Sequence, residues 1–67
     1  MATGTVKWFN VTKGYGFIEP DEKGPDVFVH ITALEEAGIR SLSEKQRVSY
    51  ELATKNGKTS AVHIQVI

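Results

Sequence analysis

Apolar residues recur at every second position in several short runs of this 67-residue chain, while the three-to-four spacing of a long helix is weak throughout. Residues 47–53 (RVSYELA) alternate most cleanly, with Val48, Tyr50 and Leu52 on one face. Residues 60–67 put Val62, Ile64 and Val66 in phase. Residues 5–10 (TVKWFN), 15–19 (YGFIE) and 27–30 (VFVH) carry aromatic and β-branched side chains, which brings the predicted strands to five. Turn residues separate them: Thr12, Lys13 and Gly14 after the first, PDEKGP at 20–25 after the second, and Asn56-Gly57 between the last two. Asn-Gly is the strongest short hairpin signal, because a type I′ turn needs positive φ at both central residues. The stretch 31–46 holds alanine, leucine and two glutamates at 33–37, enough for one helical turn that Gly38 stops. It is expected as a short turn and a long loop.

Five short strands in so few residues cannot build two well-filled sheets. Curling into a small barrel removes most open edges and lets one aliphatic layer fill the middle. The expected class is therefore all-β: a five-stranded antiparallel barrel of OB-fold type, formed by residues 1–67 as a single domain. An SH3-like barrel is the near competitor.

The stretch KGYGFIEP at 13–20 carries the first hint of chemistry. Alternate side chains of a strand point to opposite faces, so Tyr15 and Phe17 share one face while Gly16 and Ile18 share the other. With the third strand beside it, one face collects Ile18, Val27 and Val29, and the opposite face collects Tyr15, Phe17, Phe28 and His30. A small barrel has one inside. If the aliphatic set fills it, the rings are left outside. Burying a phenylalanine contributes roughly 1.5–3 kcal/mol, so several uncovered rings mark a binding surface. Glycines 14 and 16 are expected to keep the backbone low beside the rings, where a base can lie flat. Val6 and Trp8 share a parity, so placing Trp8 outside requires a bulge in the first strand. Phe9 shares the parity of Lys7 yet sits in a hydrophobic run. Tyr50 is expected in the core or at the barrel rim, and His63 in solvent.

Lys7 and Lys13 stand near the rings and suit phosphate contacts. The formal net charge is zero, which counts mildly against a nucleic-acid binder. The distribution offsets this: all eight carboxylates lie between Glu19 and Glu51, and both ends of the chain carry lysines without acids. Brought together, the ends would form a modest positive surface. Asp21-Glu22 and Glu35-Glu36 read most simply as solubilising loop charges.

Catalysis is not expected. The two histidines stand 33 residues apart, there is no cysteine for a thiolate metal site, no serine sits on a strand-to-helix elbow, and no glycine-rich loop precedes a helix. Neither a cofactor nor a metal is implied. The lack of cysteine fits a reducing compartment. No basic start leads into an apolar run, and no stretch reaches the length of a membrane span. A cytoplasmic monomer without membrane contact is expected.

Three segments carry a family resemblance: Lys7-Trp8-Phe9-Asn10, then Lys13-Gly14-Tyr15-Gly16-Phe17-Ile18, then Asp26-Val27-Phe28-Val29-His30. The middle segment is similar to ribonucleoprotein motif 1, and the last is similar to ribonucleoprotein motif 2. In this order and spacing, over essentially the full length, the chain resembles bacterial cold-shock proteins and the cold-shock domain. The resemblance implies a barrel that binds single-stranded RNA and DNA and acts as an RNA chaperone. It implies base stacking by Trp8, Tyr15, Phe17, Phe28 and His30; Phe9, next to Lys7 and Trp8, is expected from its position to extend the platform from the first strand. It also implies backbone contacts from Lys7 and Lys13, with Asn10 and Asp26 at the edge of the site. Three positions depart from the family pattern: Ile31 and Ile39 stand where many relatives have aromatics, and Lys58-Thr59 replaces a glycine-proline pair. A shorter platform centred on about four rings is therefore expected. The rival function is a protein-interaction barrel for proline-rich peptides. Such a barrel places its rings mostly on loops beside acids, whereas these lie mid-strand beside lysines. An RNA-recognition motif needs two full helices that this chain cannot fit.

Overall fold

The computed structural model describes residues 2–67; Met1, the first residue of the expected 1–67 domain, lies outside the described residues. The strands are β1 (Ala2–Asn10), β2 (Tyr15–Pro20), β3 (Val27–His30), β4 (Arg47–Lys55) and β5 (Lys58–Val66), with one short helix, α1 (Ile31–Glu36), after β3. They close into a barrel in the order β1-β2-β3-β5-β4, with β4 returning to β1. Four seams are antiparallel. The closing seam between β3 and β5 is parallel and rests on the single pair Phe28↔Ser60. A parallel contact there follows from the connection: α1 and the loop after it carry the chain across before β4 and β5 form their hairpin.

The interior is filled by Val6, Ile18, Val27, Val29, Leu34, Val48, Tyr50, Ala61 and Ile64, with Ala33 and Leu42 beside them. The aliphatic face of β2 and β3 thus points inward. Tyr50 is 1 % exposed, and burial, ahead of the Asp21 and Glu22 charges, pushes its phenol above the usual range. The parity conflict in β1 is resolved by a bulge. Val6 pairs with Ile18 but Trp8 pairs with Phe17, so Lys7 is the extra residue. Val6 stays inside and Trp8 turns out. The loop after α1 reaches the same place: Val6 N–H donates to the Gln46 carbonyl at 2.8 Å, and Lys45 N–H donates to the Val6 carbonyl at 2.7 Å.

Two alternation patterns do not survive folding. In β5, Ala61 and Ile64 are buried, while Val62 is half-buried and Val66 exposed. A second bulge accounts for Ala61, Val62 and Ile64, while Val66 keeps the phase of Ile64 and is exposed as the last residue of the strand. The pairing slips between Glu51↔Val62 and Ser49↔Gln65, and His63 takes φ 50° there. One extra residue resets the phase of everything after it. In β4, Leu52 is exposed although Val48 and Tyr50 are buried. Among the described residues β1 pairs with β4 from Arg47 to Tyr50, whereas β5 pairs with it on to Lys55, the stretch that carries Leu52. The tip of the β4–β5 hairpin is the expected Asn56-Gly57 turn, with φ 53° and 76°.

The segment after β3 is more helical than expected. α1 begins at Ile31, because His30 caps it, and packs Ala33 and Leu34 into the core. It ends as expected at Gly38 (φ 75°), where Gly38 N–H donates to the Glu35 carbonyl at 3.1 Å and Ile39 N–H to the Leu34 carbonyl at 2.8 Å. Among the described residues no helix is long and apolar enough to cross a membrane.

Candidate nucleic-acid interface

The β1–β2 and β2–β3 registers place Trp8 beside Phe17 and Phe17 beside Phe28, a row across three strands. Tyr15 pairs with His30 one step along the same face. The rings touch in sequence. Trp8 lies 5.4 Å from Phe17 and 5.7 Å from Tyr15 between centroids, Phe28 lies 5.8 Å from Phe17 and 5.9 Å from Tyr15, and His30 follows 6.3 Å from Phe28. Edge and tilted contacts of this kind hold each ring without covering its outer face. Trp8 is 37 % exposed, Tyr15, Phe17 and Phe28 are half-buried, and His30 is exposed. The result is one continuous aromatic surface of four rings and an imidazole.

Gly16 plays a different part from the one expected. It faces inward and is buried, and a Cβ there would meet Phe9 Cα at 2.7 Å. Its bareness lets β1 and β2 approach; it clears no space on the ring face. Gly14 closes the β1–β2 turn, donating its N–H to the Asn10 carbonyl at 2.8 Å while its own carbonyl accepts from Ile31 N–H at 2.8 Å. Asn10 shapes that turn as well: its Oδ1 accepts from Thr12 N–H at 2.9 Å and Lys13 N–H at 3.0 Å. Phe9, half-buried, packs against the core.

The cations are fewer in effect than in count. Lys7 Nζ donates to Asp26 Oδ2 at 2.9 Å, and that bond, followed by the Asp26 charge, raises its pKa. Lys13 lies exposed in the β1–β2 turn. Lys58, exposed, shares the outer face of β5 with Ser60, which the parallel pair sets beside Phe28. Ile31 is half-buried at the start of α1, and Ile39 packs against the core. In the ring β4 lies between β1 and β5.

Sequence reading missed three things here. Ser60 joins the edge of the row through a seam between strands some thirty residues apart in sequence, and no local pattern signals that. Thr32 holds the His30 ring, a contact that the His-x-Thr spacing ahead of a helical turn can signal. Asp21 is more than a solubilising charge. It accepts from Arg47 through both oxygens, at 2.5 and 2.7 Å, and from Thr3 Oγ1 at 2.6 Å, tying β1, β4 and the β2–β3 loop. These bonds, Arg47's foremost, hold its carboxyl at about 2. Among the described residues no cluster of three His, Cys, Asp or Glu side chains is poised for a metal ion.

The whole described chain, residues 2–67, matches the model of the "'Cold-shock' DNA-binding domain". The chain belongs to that cold-shock domain family. Curated relatives agree. The chain is 61 % identical to the "Probable cold shock protein y4cH" of Sinorhizobium fredii, with 97 % of each covered. It is 57 % identical to the "Cold shock protein CspA" of Rhizobium meliloti, again with 97 % of each covered. Over the full length of both it is 46 % identical to a "Cold shock-like protein CspA" of Bordetella pertussis. The five-stranded closed barrel is the OB-fold of this nucleic-acid-binding family.

Proposed function

We propose that this cold-shock domain holds single-stranded RNA and DNA on its aromatic row with little sequence preference, and acts as an RNA chaperone. The observation that carries the reading is the uncovered row Trp8–Phe17–Phe28, flanked by Tyr15 and His30. Stacking on such rings contributes roughly 1–3 kcal/mol per base and accepts any base, since every base has a π face. Lys7, Lys13 and Lys58 are assigned to phosphates, Asn10 and Asp26 to the edge of the site, and Phe9 to support of the row. Ile31 and Ile39 mark where stacking partners are missing. Lys7 must exchange Asp26 for phosphate, so few cations are free and affinity should fall only gently with salt.

Chaperoning follows from binding alone. A strand held flat on the row cannot pair, so hairpins shift toward the open form by mass action. Effects on transcription and translation would come from the same act. All five rings come from one chain, so a monomer suffices. The reading involves no catalytic step or cofactor, and its setting is the cytoplasm. Trp8 makes the test direct. Single-stranded oligonucleotides should quench tryptophan fluorescence strongly and the matching duplex should not. Quenching by proline-rich peptides, with none by single strands, would instead support a protein-interaction barrel.

A further inference from the structure

We propose that Thr32 is a positioning residue that holds the His30 imidazole in a single tautomer, so that the aromatic row ends in a fixed N–H donor. The proposal rests on the reading of that row as the strand-binding surface. His30 occupies the N-cap of α1 with extended backbone, φ −101° and ψ 151°. Its Nδ1 lies 3.2 Å from the Thr32 backbone nitrogen and 3.1 Å from Thr32 Oγ1. A backbone N–H can only donate, so Nδ1 accepts and carries no proton. The neutral ring then carries its hydrogen on Nε2.

The same contacts fix the ring's rotation. The terminal torsion of a histidine is otherwise broad and roughly two-fold. With Nδ1 turned to Thr32, Nε2 lies on the far side of the ring, away from the start of α1. His30 is exposed, and its ring follows Phe28 at 6.3 Å with a 42° tilt. A strand lying along the row therefore reaches an oriented donor at its end. Rings that only stack accept any base, whereas a fixed donor requires an acceptor opposite it. The chemistry recognised is a hydrogen-bond acceptor oxygen, on a base carbonyl or on a phosphate.

The lock is read in the free protein by long-range 15N–1H spectra of the His30 ring, recorded over a pH series and compared on the neutral species. Thr32→Val removes the hydroxyl. Thr32→Pro also removes the backbone donor, at a first-turn position where proline is tolerated. The parent and Thr32→Ser should show the Nε2–H form alone, and Thr32→Pro an average of both tautomers. A Thr32→Pro spectrum identical to the parent's overturns the lock. The donor is read separately, and independently of how that variant folds. Hexathymidylate is scanned with one thymine at a time replaced by difluorotoluene, which keeps the shape and lacks the carbonyls. A further scan places single methylphosphonates. One position in one scan should weaken binding by about two- to tenfold in the parent and have no effect in His30→Phe, which keeps a flat ring without the donor. A difluorotoluene effect assigns the acceptor to a base carbonyl, and a methylphosphonate effect assigns it to phosphate. Equal effects in parent and variant at every position overturn the donor. Failure of the parent to bind hexathymidylate at all overturns the platform reading and the donor with it, while the tautomer spectra stand by themselves.

Discussion

Phe28 and Val29 are neighbours in β3 with opposite orientations, so alanine at each separates binding from folding. Val29 has no exposed surface. Its truncation removes two methyl groups worth about 0.8 kcal/mol each by transfer, and the cavity left behind brings the loss to about 2 kcal/mol. In a domain this small, 1 kcal/mol moves the melting temperature by about 4–8 °C, so Val29→Ala should melt roughly 8–16 °C lower. Its folded form should bind oligothymidylate as the parent does, because Val29 has no part in the outer face. Phe28 is half-buried and touches Phe17 and Tyr15 edge-on or tilted. At a surface each such pair contributes about 0.5 kcal/mol, so Phe28→Ala should cost the fold about 1 kcal/mol. It also removes one stacked base, about 1–3 kcal/mol, which is about a 5- to 150-fold weaker Kd. Thermal melts and Trp8 fluorescence titrations on the same preparations read both quantities. A Val29→Ala protein that loses affinity with an unchanged melt, beside a Phe28→Ala protein that binds normally, would refute the assignment of the faces.

Other outcomes follow from single contacts. Gly16→Ala forces a methyl group against Phe9 and the β1 backbone and should prevent the native fold, as circular dichroism would show. Asp21 has its carboxyl held at about 2, against 3.8 for a free one. A depressed folded-state value means the stabilisation is complete above the unfolded value and is lost as the pH falls from about 4 toward 2. Asp21→Asn should lower the melting temperature at neutral pH, and the gap to the parent should close across that acid window; a gap independent of pH would contradict the Arg47 and Thr3 contacts as its source. Ile31→Phe should add a stacking partner at the edge of the row and tighten binding to a short pyrimidine strand by up to the worth of one base, about 1–3 kcal/mol. No gain in a titration would take that position off the path of the bases.

The short-range facts were legible in the residues themselves. Alternation over 15–19 and 27–30 told which side chains of the central ribbon share a face. The Val6/Trp8 parity conflict announced the bulge at Lys7, and Asn56-Gly57 announced the β4–β5 turn. These are local rules, set by the two-residue period of a strand and by φ preferences, and they need no partner to be stated. The side of Trp8 was left open by alternation and is decided by the bulge at Lys7.

What the chain's own period could not decide is where a strand loses its neighbours. Leu52 keeps the phase of Val48 and Tyr50 yet stands in solvent, on a part of β4 that among the described residues pairs with β5 and not with β1. Val62 loses the phase of Ile64 because an extra residue at His63 shifts β5 against β4. The parallel β3–β5 contact that brings Ser60 to Phe28, the Asp21–Arg47 tie, and the pairing of Lys7 with Asp26 all join residues far apart in sequence. Alternation records which way a side chain points relative to its own backbone. Whether anything stands opposite it is settled only when the barrel closes.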